Sequence, residues 1–134
     1  MLLPTIHFSG NCLDAIEFYK KTVGAEVVRL FSSNDAPPEV AAQMPPNFVM
    51  FSEIKMLGAT VSLTDGCEQP PNAINFTYTL ILDTVEEVTD VFNRLAEGGT
   101  INEPLGQQFW ADLSGMLTDR FGVNWNVLTK TMPK

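Results

Sequence analysis

At 134 residues, 45% hydrophobic and 18% charged, the chain has an ordinary globular composition and the length for one good core or two small half-domains. A net charge of -8 with only eight Lys and Arg argues against nucleic acid and anionic membrane as partners, because both need clustered basic side chains. No basic leader precedes an apolar run and no stretch nears the roughly 18 apolar residues of a membrane span, so a cytoplasmic protein is the expectation.

Leu3 to Ser9 predicts a strand, with Ile6 and Phe8 on one face and Leu3, Thr5 and His7 on the other. Gly10-Asn11 breaks it, and Asn11 can cap a helix whose apolar stripe is Leu13, Ile16 and Val23, with Phe18 and Tyr19 beside it and Gly24 as its stop. A Val-rich strand follows from Ala25 to Phe31. Ala36 to Asn47 carries Pro37, Pro38, Pro45 and Pro46, which rules out one regular element throughout and predicts a long excursion over an edge or a pocket mouth. Phe48 to Met56 and Ala59 to Asp65 then form a hairpin around Leu57-Gly58, and Gly66 to Asn72, with Pro70-Pro71, is a linker.

The pattern then begins again. Asn75 to Asp83 predicts a strand, with Phe76, Tyr78, Leu80 and Leu82 facing one way and Thr77, Thr79 and Ile81 the other. Thr84 caps a helix through Glu97, with Glu87 in the capping-box position and Val85, Val88, Phe92 and Leu95 as its stripe. Gly98-Gly99 ends it, and a short strand is expected around Thr100 to Asn102. Phe109 to Val127 completes the half as two strands around the turn Asp119 to Gly122, where glycine supplies a positive φ. Phe109, Ala111 and Leu113 alternate with Gln108, Trp110 and Asp112, and Val123, Trp125 and Val127 alternate with Asn124 and Asn126. A face made of Gln108, Trp110, Asp112, Asn124 and Asn126 predicts a pocket wall, since an exposed Trp on a strand is costly to leave unused.

Each half is thus strand, helix and three strands. Ile6 and Phe8 align with Leu80 and Leu82, Phe18 with Phe92, and Gly24 with Gly98 at one constant spacing. Leu57 to Leu63 likewise lies on Phe121 to Val127. The fold class is therefore α+β, a duplicated βαβββ unit: residues 1–65, a linker 66–74, and residues 75–134, together one domain.

A twofold βαβββ repeat whose strands curl around a cavity, with helices outside, resembles the vicinal oxygen chelate superfamily of glyoxalase I, extradiol dioxygenases and bleomycin-resistance proteins. FSGNCLDAIEFYKKTVGAEV at Phe8 to Val27 and FWADLSGMLTDRFGVNW at Phe109 to Trp125 are similar to the PhnB-like subgroup. The resemblance implies a homodimer and, in the enzymes, a divalent metal held by four side chains from the first and last strand of each module. Those positions fall at Leu3, Thr77, Ser62 and Asn126. Leucine cannot ligate, and Thr, Ser and Asn are neutral oxygen donors too weak to hold a transition metal without a carboxylate or imidazole. No metal and no other cofactor is expected, and no glycine-rich loop suits S-adenosylmethionine.

His7, the lone histidine, is a weak candidate for a general base and would need Asp65 or Asp112 to orient it. Cys12 and Cys67 lack metal-type spacing and any activating neighbour, so they are expected to be free thiols rather than nucleophiles. The leading expectation is a metal-free, small-molecule-binding protein whose cavity presents Thr5, His7, Thr60, Ser62, Thr77, Thr79, Gln108, Trp110, Asn124 and Asn126. One rival is a metal-dependent lyase, isomerase or dioxygenase of the superfamily. Another is a drug-sequestering resistance protein, whose acidic charge favours a cationic drug and whose proline-rich excursion acts as a lid.

Overall fold

Two four-stranded sheets, each mixed and each carrying one long helix, account for the regular structure. The computed structural model describes residues 3–66 and 77–130, and the chain divides into two compact units, Met1–Pro71 and Asn72–Lys134.

The first unit runs β1 (Thr5–Phe8), α1 (Cys12–Val23), β2 (Glu26–Ser32), a 3-10 turn (Ser33–Asp35), α2 (Pro38–Ala41), β3 (Val49–Met56) and β4 (Ala59–Asp65). Its sheet order is β1-β4-β3-β2. β1 lies parallel to β4, with Thr5 opposite Ser62, Ile6 opposite Leu63, His7 opposite Thr64 and Phe8 opposite Asp65. This register sets Ile6, Phe8, Leu63 and Asp65 on one side of the sheet and Thr5, His7, Ser62 and Thr64 on the other. Phe8, Ile16, Tyr19, Ile54 and Leu63 form a buried core that holds the amphipathic face of α1 to the strands. The β3–β4 hairpin turns at Leu57-Gly58, both with positive φ, the conformation that matches the twist of the flanking strands.

The second unit repeats the plan: β5 (Tyr78–Leu82), α3 (Val85–Ala96), β6 (Thr100–Gly106), β7 (Ser114–Thr118) and β8 (Asn124–Thr129), in the order β5-β8-β7-β6. β5 is parallel to β8, with Tyr78 opposite Trp125, Thr79 opposite Asn126 and Leu80 opposite Val127. Thr84 caps α3 by accepting the Glu87 amide at 3.1 Å, and its hydroxyl donates to Glu87 Oε1 at 3.1 Å. The buried stripe of α3 is Val88, Phe92 and Leu95, whereas Val85, at the first helical position, stays 42% exposed. At the far end the Gly99 amide closes a turn on the Ala96 carbonyl at 2.9 Å, and the Arg120 guanidinium donates twice to the Glu97 carbonyl, at 3.1 and 3.0 Å, so the last carbonyls of α3 are satisfied.

Several sequence expectations are corrected. Gln108 to Leu113 is not a strand: the Gln108 amide donates to the Ala111 carbonyl at 3.0 Å, closing a local turn, and β7 begins only at Ser114. Phe109, expected on the buried face, is 88% exposed. β6 extends to Gly106, past the short strand expected, because it is an edge strand with two register irregularities that accommodate Pro104. The excursion contains the four-residue helix α2, started by Pro38. The linker from Cys67 onward, Cys67 itself, and the strand positions through Phe76 lie outside the described residues. Among the described residues no helix is long and apolar enough to cross a membrane.

Candidate functional site

Two aspartates organise the ends of the strands, one in each unit. Asp65, buried at the end of β4, accepts the Gly10 amide at 2.8 Å and the Cys12 amide at 3.1 Å on Oδ1, and the Val49 amide at 3.0 Å on Oδ2. One carboxylate therefore ties together the exit of β1, the start of α1 and the start of β3. Asn11 occupies the N-cap position without a capping side-chain bond, a correction to the sequence reading: Asp65 supplies the acceptor instead, with a charge that also suits the helix N-terminus. Burial, and secondarily the Asp65 carboxylate, push the Cys12 thiol up to about 12 from its ordinary 9.0, which removes the thiolate that nucleophilic chemistry needs.

Asp119 plays the matching part in the second unit. It accepts the Phe121 and Val123 amides at 2.9 and 3.1 Å on Oδ1 and the indole N–H of buried Trp125 at 3.0 Å on Oδ2. The turn that aims β8 is thereby fixed from within.

On the other side of the first sheet lie Thr5, His7, Ser62 and Thr64. Thr5 and His7 are exposed, Thr60 is half-buried, and His7 Nδ1 is 3.2 Å from Thr64 Oγ1. Asp65 cannot orient His7, since its register places it on the opposite side of the sheet and both of its oxygens hold backbone amides. Ser62 is 1% exposed and its hydroxyl has no hydrogen-bond partner.

In the second unit Asn102 Nδ2 donates to Thr118 Oγ1 at 2.9 Å and the Thr118 hydroxyl donates to Asn124 Oδ1 at 2.7 Å. This polar chain crosses β6, β7 and β8. Asn126, two residues on and on the same side of β8, stands opposite Thr79 of β5 and Met116 of β7, and its Oδ1 is buried without a partner. Thr77 is half-buried just ahead of β5. Gln108 is half-buried and Trp110 is 40% exposed in the loop before β7, where Trp110 meets Phe109 edge to face at 4.8 Å. Neither belongs to a strand face with Asn124 and Asn126, so the alternation that grouped them is accidental.

The repeat therefore holds at the level of single positions. Thr5 faces Ser62 and Thr79 faces Asn126 at the same place in each parallel pair, and the β4 and β8 members each keep a buried polar atom unsatisfied. Such atoms are rare in folded proteins and each calls for an explanation. Leu3, Thr77, Ser62 and Asn126, the positions the resemblance implies for metal ligands, carry no anionic or imidazole donor, so none of them suits a divalent transition metal. Among the described residues no three His, Cys, Asp or Glu side chains are grouped to hold a metal ion. The Asp65 and Asp119 anchors and the Thr64 partner of His7 escaped sequence reading. The signal for the first two is an aspartate closing a strand just before a glycine or a turn.

The architecture and its internal repeat define a class. Residues 5–127 match the family described as the Glyoxalase/Bleomycin resistance protein/Dioxygenase superfamily, and the chain belongs to it. The chain is 31% identical to Protein YjdN of Escherichia coli (strain K12), covering 94% of this chain and 92% of that protein. Among solved structures it is similar to protein PA1353 from Pseudomonas aeruginosa, with 30% identity, a TM-score of 0.81 and 97% of each chain covered. It shares the fold of the PhnB protein from Bacillus cereus, with 22% identity, a TM-score of 0.80, and 96% and 98% of the two chains covered.

Proposed function

We propose that this chain is a small-molecule-binding member of the superfamily that works without a metal, holding its ligand by hydrogen bonds to neutral side chains. The observation that carries the reading is that two of the buried side-chain atoms without a partner, Ser62 Oγ and Asn126 Oδ1, fall at matching positions of the two repeats. A buried polar group without a partner costs roughly 1–3 kcal/mol, and a ligand carrying hydrogen-bonding groups recovers that cost on binding. Each unit taken by itself, the further contacts this reading assigns are Thr5 and His7 beside Ser62 in the first and Thr77 and Asn124 beside Asn126 in the second, and a cytoplasmic homodimer is the assembly it expects.

Neutral donors and acceptors suit an uncharged or weakly charged ligand. They do not suit a multiply charged anion, for which no Lys or Arg lies among the residues named. The test is a thermal-shift screen of small neutral molecules against the wild type, Ser62→Ala and Asn126→Leu. The reading expects molecules that raise the melting temperature of the wild type and lose that effect in at least one variant. Hits that act equally on all three proteins overturn it.

A further inference from the structure

Where β2 and β3 meet the proline-rich excursion, the first unit carries an open cavity of about 520 Å³, inside the roughly 300–1,000 Å³ range of small-molecule sites. Phe31 and Phe51, opposite one another in the β2–β3 register, line it together with Met50, with Pro37 and Val40 from the excursion, and with Asp35 from the 3-10 turn. Phe31 is 52%, Met50 42% and Val40 37% exposed. An apolar lining left in contact with water is an unusual expense for a surface with no task, at roughly 25 cal/mol per Å².

The excursion is tied at its base. The Ser33 amide donates to the Phe48 carbonyl at 2.7 Å, the Ser33 hydroxyl donates to the Pro45 carbonyl at 2.7 Å, and the Phe48 amide returns a bond to Ser33 Oγ at 3.1 Å. Asn34 Nδ2 adds a bond to Asn47 Oδ1 at 2.7 Å. Pro37 and Pro38 restrict the backbone where α2 begins. The site is pre-formed, so a ligand entering it loses little affinity to ordering of the protein.

Charge selects the occupant. Asp35 is the single charged side chain of the lining, which contains no Lys, Arg or His. Its Oδ2 accepts the Ser32 amide at 3.0 Å and the Ser32 hydroxyl at 3.4 Å, which hold the carboxylate in place. Aromatic faces attract cations, and a chain of net charge -8 disfavours anions. We propose that this cavity binds an amphiphilic monocation, with an aromatic or aliphatic body against Phe31 and Phe51 and a protonated amine against Asp35. The site shares no residue with the polar strand faces assigned above and is independent of that assignment.

The test uses three probes of one shape, 4-phenylbutylamine, 4-phenylbutanol and 4-phenylbutyrate, titrated into isotope-labelled protein while amide shifts are followed. The amine is expected to shift the Phe31, Asp35, Val40 and Phe51 amides saturably and to bind about fivefold tighter than the alcohol, the scale of one exposed charge pair, with the carboxylate weakest. Asp35→Asn keeps an oxygen for the Ser32 amide, and it should abolish the preference for amine while leaving the affinity for alcohol unchanged. Val40→Arg should weaken all three probes. Equal binding of amine and alcohol by the wild type, a preference that survives Asp35→Asn, or an absence of shifts at these residues overturns the proposal. Shifts of the same amides with protein concentration alone would assign the cavity to a second copy of the chain and overturn it as well.

Discussion

Asp65 accepts the Cys12 backbone amide at 3.1 Å across 53 positions of sequence, so the last residue of β4 caps the helix that follows β1. A long-range cap of this kind makes the fold of the first unit and the start of its helix one event. Asp65→Ala leaves the Gly10, Cys12 and Val49 amides without their acceptor, and it should destabilise the protein by at least about 3 kcal/mol. Asp65→Asn, which retains one acceptor oxygen, should cost less. Urea unfolding of the two variants measures both.

The Cys12 thiol supplies an alkaline limit to stability. Its folded value near 12 lies above the ordinary 9.0, so the unfolded chain releases this proton first as pH rises. The contribution is fully present below pH 9.0 and is lost as the pH climbs toward 12. Chemical denaturation between these limits should show falling stability in the wild type and a flatter profile in Cys12→Ala. The native thiol should also resist a disulfide reagent at neutral pH until the protein is unfolded.

Gly115 is required by the approach of α3 to β7. A Cβ built there would meet Phe92 Cε2 at 2.8 Å, Leu105 Cδ2 at 3.0 Å and the Glu103 carbonyl at 3.1 Å. Gly115→Ala should therefore cost about 1–3 kcal/mol through overpacking, measured by thermal or urea unfolding. Phe92→Leu in the same chain should recover part of that loss relative to the sum of the two single effects, which a double-mutant cycle reads directly.

Ser62 and Asn126 carry the functional reading and yield a stability prediction of opposite sign. Removing a buried polar atom that has no partner relieves desolvation, so Ser62→Ala and Asn126→Leu should each leave stability unchanged or raise it by about 1 kcal/mol. Calorimetry of the ligand-free proteins checks this. A loss of more than about 1 kcal/mol in both variants would mean that these atoms serve the fold.

The repeat was legible because it rests on strong local signals: Gly24 and Gly98 after the helices, the Thr84 N-cap, and alternation in β8. The loop from Gln108 to Leu113 was misread because three apolar residues at alternate positions imitate a strand, and the bond from the Gln108 amide to the Ala111 carbonyl leaves no mark on periodicity. The Asp65 cap was hidden for a related reason. A carboxylate that serves amides 16, 53 and 55 positions away is a product of sheet topology, which no window along the chain contains. Of the candidate site, the equivalence of Ser62 with Asn126 follows from the repeat register, whereas their pairing with Thr5 and Thr79 is set by the sheets, and the cavity beside Phe31 depends on how the proline-rich segment is tied down at Ser33 and Asn34.

Metal content tests the central claim most directly. The purified protein, free of any affinity tag, is incubated separately with zinc, manganese, nickel and iron(II), dialysed, and assayed by elemental analysis. None of Leu3, Thr77, Ser62 and Asn126 carries an anionic or imidazole donor, which predicts retention far below one equivalent per chain for every metal. Stable retention of about one equivalent of any of them, lost on substitution of Ser62 or Asn126, would contradict the account and establish a metal-dependent member of the superfamily.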